Sequence, residues 1–432
     1  MKIVLNPIKP GLCSDTTDFH VLVRLQSEPQ ADCPRTPLNL ALVLDRSGSM
    51  HGVKLKEAKL CAIDLVSRMA PDDQVAVIQY DDQIETIIPL GLVDEVRPNL
   101  SARVQAITAN GTTDLHGGWL RGGETLAPFA GQESACHVIL LSDGIANRGL
   151  TSTSQITAQV DALANAGVTT TTVGLGADFN EELMTAMAQA GQGRAHYGER
   201  AIDLAETFDS EIGLLTQLQW RSVQLAIDSK PSRLRVLNDY SENNGVWQMP
   251  SIAMGSECWA LIRIPMCDAI QLQNETGTVI SIRVSAIDTA GDRHTFKGYL
   301  ETLPLISKDD FNEQPAHELV QRRLDEINAA QLQLQIRDAA LRGDWRTVER
   351  ILDELETLGR REPWIAASIA FIRQLMNERD EQRMSKEMMY KSRKMSQRLA
   401  STDELTYSES EQLDEAAFLR RKMAEGRRTD RL

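Results

Sequence analysis

The chain has 432 residues, 42% hydrophobic and 25% charged, with 46 Lys and Arg against 61 Asp and Glu for a formal net charge of -15. At about 150 residues per domain there is room for two or three domains, and the composition excludes a fibrous, low-complexity or wholly disordered chain. The acidic balance opposes attachment to nucleic acid or to an anionic membrane surface, so neither is an expected partner.

The opening Met1-Lys-Ile-Val-Leu-Asn-Pro falls short of the ~7–15-residue apolar core of a secretory signal, and no run of ~18 apolar residues offers a membrane span. The six cysteines (Cys13, Cys33, Cys61, Cys136, Cys258 and Cys267) are scattered without a CxxC pair. They read as reduced, small apolar fillers, and the expected compartment is the cytoplasm.

In chain order, Asp18-Phe-His-Val-Leu-Val-Arg-Leu alternates as one strand that needs a partner later in the chain. From about residue 38, short apolar strands alternate with amphipathic helices, as in a parallel sheet covered on both faces. The strands are Asn39–Leu44, Gln74–Tyr80, Thr86–Leu90, Cys136–Leu141 and Val168–Val173. Leu55, Ala58, Ala62, Leu65, Val66 and Met69 keep helical spacing, as do Ile156, Val160, Leu163 and Ala164 before Gly167. Helices near Glu181–Gln189 and Ile202–Thr216 close this unit.

The period then switches. Trp220–Asp228, Leu234–Leu237, Ser251–Pro265, Val279–Ile287 and His294–Leu300 read as strands of an antiparallel sandwich. From about 309 the chain is helical over His317–Arg342, Trp345–Leu358 and Pro363 to about Tyr390. Val320, Leu324, Ile327, Leu334 and Leu341, interrupted by Gln331 and Asp338, predict a helical hairpin packed on itself. Beyond Asn377 the basic and acidic residues number 13 and 12, so the excess acidity lies in the body of the chain.

The expected fold class is therefore α/β, a doubly wound and mostly parallel sheet inserted in or followed by an antiparallel β-sandwich, with a C-terminal helical region. Residues 1–36 are assigned to the sandwich, 37–215 to the α/β domain, 216–306 to the sandwich proper, 307–390 to helices and 391–432 to a charged flexible tail.

The chemistry gathers at strand ends. Leu42-Val-Leu-Asp45-Arg-Ser47-Gly-Ser49-Met places one carboxylate and two hydroxyls at alternate positions just past a buried parallel strand, the edge at which open α/β sheets bind ligands. Alternate residues of a tight turn project to one side, and three oxygens converging there suit a hard cation. Asn110-Gly-Thr-Thr113-Asp, in a loop, and Leu140-Leu-Ser-Asp143-Gly, at another strand end, supply further oxygens. Thr112 offers the same hydroxyl one residue earlier than Thr113. His116 flanks this loop, whereas His137 lies within a buried strand and reads as a core residue.

These segments resemble the von Willebrand factor type A family, whose metal-ion-dependent adhesion site is written D-x-S-x-S, then a Thr, then an Asp after a later strand. Asp45, Ser47, Ser49, Thr113 and Asp143 fall on that pattern. The likeness covers roughly residues 37–215, including Thr172-Val-Gly-Leu-Gly-Ala-Asp178-Phe-Asn. The flanking regions are similar, more broadly, to bacterial cytoplasmic relatives of the calcium-activated chloride channel regulator and inter-alpha-trypsin inhibitor heavy-chain proteins.

The resemblance implies a bound Mg2+, or Mn2+ or Ca2+ in its place, and docking of an Asp or Glu carboxylate from a partner protein. An enzyme is not expected: no G-x-x-x-x-G-K-[ST] loop and no G-x-S-x-G elbow is present, and Ser47 stands where an aspartyl-phosphate hydrolase has a second Asp. A second expectation is a scaffold or regulatory subunit of a partner kinase or ATPase, in which the helical tail makes the main contact and the metal is structural.

Overall fold

The computed structural model describes residues 1–27, 35–130, 134–143, 146–175, 179–198, 208, 211–228, 233–379, 381–397 and 400–401. Cys33, Asp178, most of the helix expected over 202–216 and the tail beyond Ser401 lie outside the described residues. The chain forms two units, one comprising Met1–Ala31, Gln219–Asp288 and Asp292–Leu432, the other Asp32–Leu218 and Thr289–Gly291.

Strands β1 (Lys2–Pro7) and β2 (Asp18–Gln26) belong to the first unit, and the second unit follows them. The second unit runs β3 (Leu38–Asp45), α1 (Val53–Arg68), β4 (Gln74–Tyr80), β5 (Ile84–Leu92), α2 (Val93–Gln105), α3 (Leu115–Leu126), β6 (Ala135–Ser142), α4 (Thr153–Asn165), β7 (Val168–Leu175), α5 (Glu181–Ala190) and β8 (Gln192–Gly198). The sheet order is β5-β4-β3-β6-β7-β8. All pairings are parallel except β4 with β5, which makes β5 an antiparallel edge.

Every residue of β3, β6 and β7 is buried, as strands covered on both faces require. In β7 this includes four threonines. Their hydroxyls are met by Trp119 Nε1 at 3.0 Å (Thr170), Glu211 at 2.6 Å (Thr171), the Met184 carbonyl at 2.8 Å (Thr172) and His137 Nδ1 at 2.6 Å (Thr169), so burial strands none of them.

The elements of this unit without an individual expectation are α2, α3 and β8. In β8, Gln192-Gly-Arg-Ala-His-Tyr-Gly has no apolar run because it is a half-buried edge strand. In α2, only Val93, Leu100 and Val104 are buried and Pro98 sits inside the helix, so the periodicity is weak.

Helix α3 packs on the strands through glycines. A Cβ at Gly118 would lie 2.4 Å from the Tyr80 ring, and one at Gly122 would lie 2.7 Å from Val43.

In the first unit, β2 lies between β1 and the strand Ser256–Pro265, antiparallel to both, with Val23 opposite Ala260. The second sheet runs through Glu242–Asn243, Val246–Gln248, Leu218–Ile227, Thr278–Ile287 and Arg293–Glu301. The two sheets meet where a Cβ at Gly298 would sit 2.7 Å from Ile3. A helix, Met266–Thr276, intervenes where only turns were expected, and it ends on Gly277 at φ 73.

The C-terminal helices are Lys308–Glu313, Glu318–Leu341, Trp345–Gly359, Pro363–Glu378 and Glu381–Gln397. The last four pack around Ile336, Leu352, Ile365 and Met388. The single helix expected from 363 to about 390 is broken at Arg379, which takes a left-handed φ of 52. Of the apolar series on Glu318–Leu341, Val320 and Ile327 are buried but Leu334 and Leu341 are exposed, because the buried face passes through Ala329, Gln333 and Ile336. Among the described residues no helix is long and apolar enough to cross a membrane.

Gly118→Ala tests the close approach of α3. Alanine gains up to about 1 kcal/mol in a helix, but its methyl meets a fully buried Tyr80 ring, an overpacking worth about 1–3 kcal/mol or more. The expected outcome is a net loss of stability, read as a lower urea midpoint; a gain would show that the helix can slide away from Tyr80.

Candidate metal centre

Asp45 is the last residue of β3, at the carboxyl edge of the sheet, and is fully buried. The parallel register sets it beside Tyr80 at the end of β4, and the pairing of Leu44 with Leu141 brings Ser142 to its other side. One carboxylate oxygen, Oδ1, accepts the Ser47 N–H at 2.8 Å; Oδ2 accepts the Ser142 hydroxyl at 2.6 Å and the Tyr80 hydroxyl at 3.2 Å. Ser47 then precedes a 3-10 turn, Gly48–Met50, and its Oγ lies 3.1 Å from that of Ser49. Ser47 is buried and Ser49 exposed, so the pair opens toward solvent at Ser49.

Backbone hydrogen bonds fasten the other loop to this one. The Asn110 N–H donates to the Arg46 carbonyl at 2.8 Å, and the Gly48 N–H to the Gly111 carbonyl at 3.1 Å. Gly111 is needed here: its φ is 66, and a Cβ would stand 2.3 Å from Asp82 Oδ1. Thr113 follows, 2% exposed, while Thr112 is exposed. The Thr113 N–H donates to Asn147 Oδ1 at 2.8 Å, and its carbonyl accepts from the Asn147 and Arg148 N–H groups at 3.2 and 3.1 Å.

Asp143, just past β6, is fully buried. Its Oδ2 meets Lys54 Nζ at 3.2 Å, and its Oδ1 has no hydrogen-bond partner among the described residues.

Thus Asp45, Ser47 and Ser49 are in direct hydrogen-bonded sequence, Asp143 lies within electrostatic reach of Asp45, and the loop that carries Thr113 is tied to the same turn through the backbones of Asn110 and Gly111. Burial raises the Asp45 carboxyl to about 6; the Ser142 and Ser47 hydrogen bonds oppose that rise and the neighbouring Asp143 adds to it.

The donor set fits a hard divalent cation: every group is oxygen, and an orphaned carboxylate oxygen is buried among them. Among the described residues no group of three or more His, Cys, Asp or Glu could hold a metal ion, so such a site has to draw on hydroxyls. These residues stand in the order D-x-S-x-S, Thr, Asp along the chain. The model of the von Willebrand factor type A domain matches residues 39–210.

Residues 39–210 form a von Willebrand factor type A (VWA) domain. An uncharacterised protein of Synechocystis is 28% identical over 199 residues, 46% of this chain and 46% of that one. The inter-alpha-trypsin inhibitor heavy chain H1 of Mesocricetus auratus is 29% identical over 165 residues, 36% of this chain and 18% of the relative. The chain therefore spans less than half the length of either curated relative. In fold it is similar to a von Willebrand factor type A structure from Catenulispora acidiphila, at TM-score 0.63 and 16% identity over 84% of this chain and 88% of that one. The ArnB paralog VWA2 of Sulfolobus acidocaldarius gives TM-score 0.58 and 18% identity over 91% and 98%. The likeness in fold thus extends beyond the VWA domain, which is generally a protein-interaction module.

Four residues of this centre had not been picked out from sequence. Tyr80 and Ser142 were legible in principle, since both end strands adjacent to β3. Asn147 and Lys54 had no such signal, because their side chains arrive from a loop and from the first turn of a helix. His116, expected near the rim, bonds Gln159 at 2.9 Å on α4.

His137 is buried in a separate polar cluster of the VWA domain. Its Nδ1 faces the Thr169 hydroxyl and its Nε2 lies 3.7 Å from Glu211, which also binds Arg194 at 2.9 Å and lies 3.5 Å from His196. Burial lowers the His137 imidazole to about 4, with Arg194 and His196 assisting and Glu211 opposing. Burial also pushes the Glu211 carboxyl up, but Arg194 and His196 hold it well below its ordinary range.

Two expectations follow from these networks. Tyr80→Phe removes one of three donors to a buried carboxylate and is expected to cost about 1–3 kcal/mol by urea denaturation; no loss would mean that water replaces the phenol. For His137, the folded imidazole binds fewer protons than the unfolded one, whose pKa is ~6.5. The residue therefore withdraws stability as pH falls from ~6.5 toward its folded value, by up to about 3 kcal/mol. In His137→Leu, where Thr169 keeps the Cys136 carbonyl at 3.3 Å, the gap in urea midpoint from the wild type is expected to shrink or reverse on acidification across that window. A pH-independent gap would contradict it.

Proposed function

We propose that the VWA domain holds one divalent cation on Asp45, Ser47, Ser49, Thr113 and Asp143, with Mg2+ as the first choice and Mn2+ or Ca2+ as alternatives, and uses it to dock an Asp or Glu carboxylate of a partner protein. The observation that carries the reading is the pair of fully buried carboxylates, Asp45 and Asp143, on one sheet edge with an unpartnered oxygen of Asp143 between oxygen-bearing loops. Desolvated charge of this kind is costly unless a cation meets it.

The remaining donors, Ser47, Ser49 and Thr113, are neutral hydroxyls. They add no negative charge, so a bound ion keeps an excess of positive charge for an anionic ligand. In a chain with a net charge of -15, that excess is a local exception to a surface that otherwise repels anions. The exposed Ser49 marks the side from which a ligand would approach.

The same chemistry supports a binding role rather than catalysis: the two hydroxyls, 3.1 Å apart, stand beside an Asp45 carboxylate already occupied by three donors, so Asp45 is not poised as a base for either one. The partner and the cytoplasmic setting belong to this proposal as well.

Calorimetric titration of the full chain with Mg2+ and Mn2+ tests the first half. One equivalent is expected to bind, and Asp45→Ala is expected to bind none; equal heats in both proteins would refute the site. The second half is tested by recovering a partner from native extract with Mg2+ and with EDTA. A partner retained equally in EDTA, or by Asp45→Ala, would mean that the metal takes no part in recognition.

A further inference from the structure

From the contact between α1 and Asp143 we infer that Lys54 is a built-in counter-ion that occupies the Asp143 carboxylate when no metal is bound and must leave it for a divalent cation to enter. The inference rests on the metal reading proposed above and adds a resident competitor to it.

Lys54 stands in the first turn of α1, directly after the Asp45–Ser49 turn. That is an unfavourable place for a cation, because the helix N-terminus carries positive partial charge. Helices α2 and α5 of the same domain follow the usual rule, with Asp94 and Glu95, and Glu181 and Glu182, in their first turns. Helix α1, like α3 and α4, has no acidic residue there, and it carries both Lys54 and the exposed Lys56, of which Lys54 meets the buried Asp143.

The ammonium is retained by Asp143, 3.2 Å away and fully buried, while the lysine side chain itself is 22% exposed. One end of the contact is therefore fixed and the other has a route to solvent. The lysine takes one oxygen of Asp143 and leaves the second unpartnered among the described residues.

One ammonium and a divalent cation cannot both be held closely at one carboxylate without mutual repulsion. Binding of the ion is then an exchange, in which Asp143 gives up Lys54 and the lysine turns outward into water. The exchange weakens the apparent affinity for metal, and it spares the metal-free domain an uncompensated buried charge. The cation would thus be acquired reversibly, with the site stable in both states.

The experiment compares the full-length wild type with Lys54→Met and Lys54→Gln, the second keeping a hydrogen-bond donor for Asp143 so that one neutral variant folds. Calorimetry with Mg2+ and Mn2+ is expected to show tighter binding in both variants by at least about fivefold, the lower end of ordinary coupling between two ligands. In EDTA, both variants are expected to unfold at lower urea concentration than the wild type, and Mg2+ is expected to raise their midpoints more than it raises the wild-type one. A wild type that binds metal while the variants bind equally or more weakly overturns the exchange and leaves the metal site standing. Absence of binding and of any Mg2+ effect in all three proteins overturns both readings.

Discussion

The buried carboxylate of Asp45 is the constraint around which the VWA domain is arranged. A charge at the end of the central strand, removed from water, requires donors in fixed positions, and the sheet provides them through register. Tyr80 arrives because β4 runs parallel to β3 in step, and Ser142 because β6 does so on the other side. The phenol can reach Asp45 only if its ring is held, and the missing side chain of Gly118 lets α3 close over it. A helix glycine that looks costly in isolation, by about 1 kcal/mol, is thereby part of how the carboxylate is satisfied.

The second constraint is the tie between loops. The loops that carry Ser47 and Thr113 are tied by backbone pairs, Gly48 with Gly111 and Asn110 with Arg46, and the two residues are then held through their own N–H groups by Asp45 and Asn147. Gly111 has to be glycine for two separate reasons, its positive φ and the approach of Asp82. For Thr113, a hydroxyl placed through main-chain geometry is not consumed in holding its own residue in position.

The sequence was informative where burial is uniform. Strands β3, β4 and β6 are apolar runs bounded by turns, and Asp45, Ser47, Ser49 and Asp143 stand at the ends of β3 and β6 or just past them, so strand position and donor chemistry could be read together, while Thr113 was legible from its loop between helices. It was silent where the structure depends on contacts between distant segments. The edge strand β8 presents intermediate exposure from Gln192 to Tyr197 and hence no pattern. The helix Met266–Thr276 contributes only Met266 and Ala269 to the core, too few to show a period. Arg323 would be placed on a solvated face by any composition argument, yet it is fully buried, bonded to Glu326 at 2.7 Å and 4.8 Å from the Trp259 ring. Lys54 belongs with these: its partner Asp143 is 89 residues away.

The two polar clusters of the VWA domain show how burial acts in opposite directions on acids and bases. At the carboxyl edge, loss of solvent drives Asp45 up and favours its neutral form; at His137 the same loss drives the imidazole down and again favours the neutral form. The difference lies in the remaining partners. Glu211 has Arg194 as an adjacent full positive charge and is held ionised, so its cluster is closed. Asp45 has only hydroxyl and amide donors, and the one nearby ammonium is spent on Asp143. Around Asp45 the hydrogen bonds are thus complete without a full positive charge, while Asp143 keeps one oxygen unpartnered among the described residues. In the proposed metal-bound state a divalent cation would supply that charge, and the neutral hydroxyls around it would leave the ion most of its own.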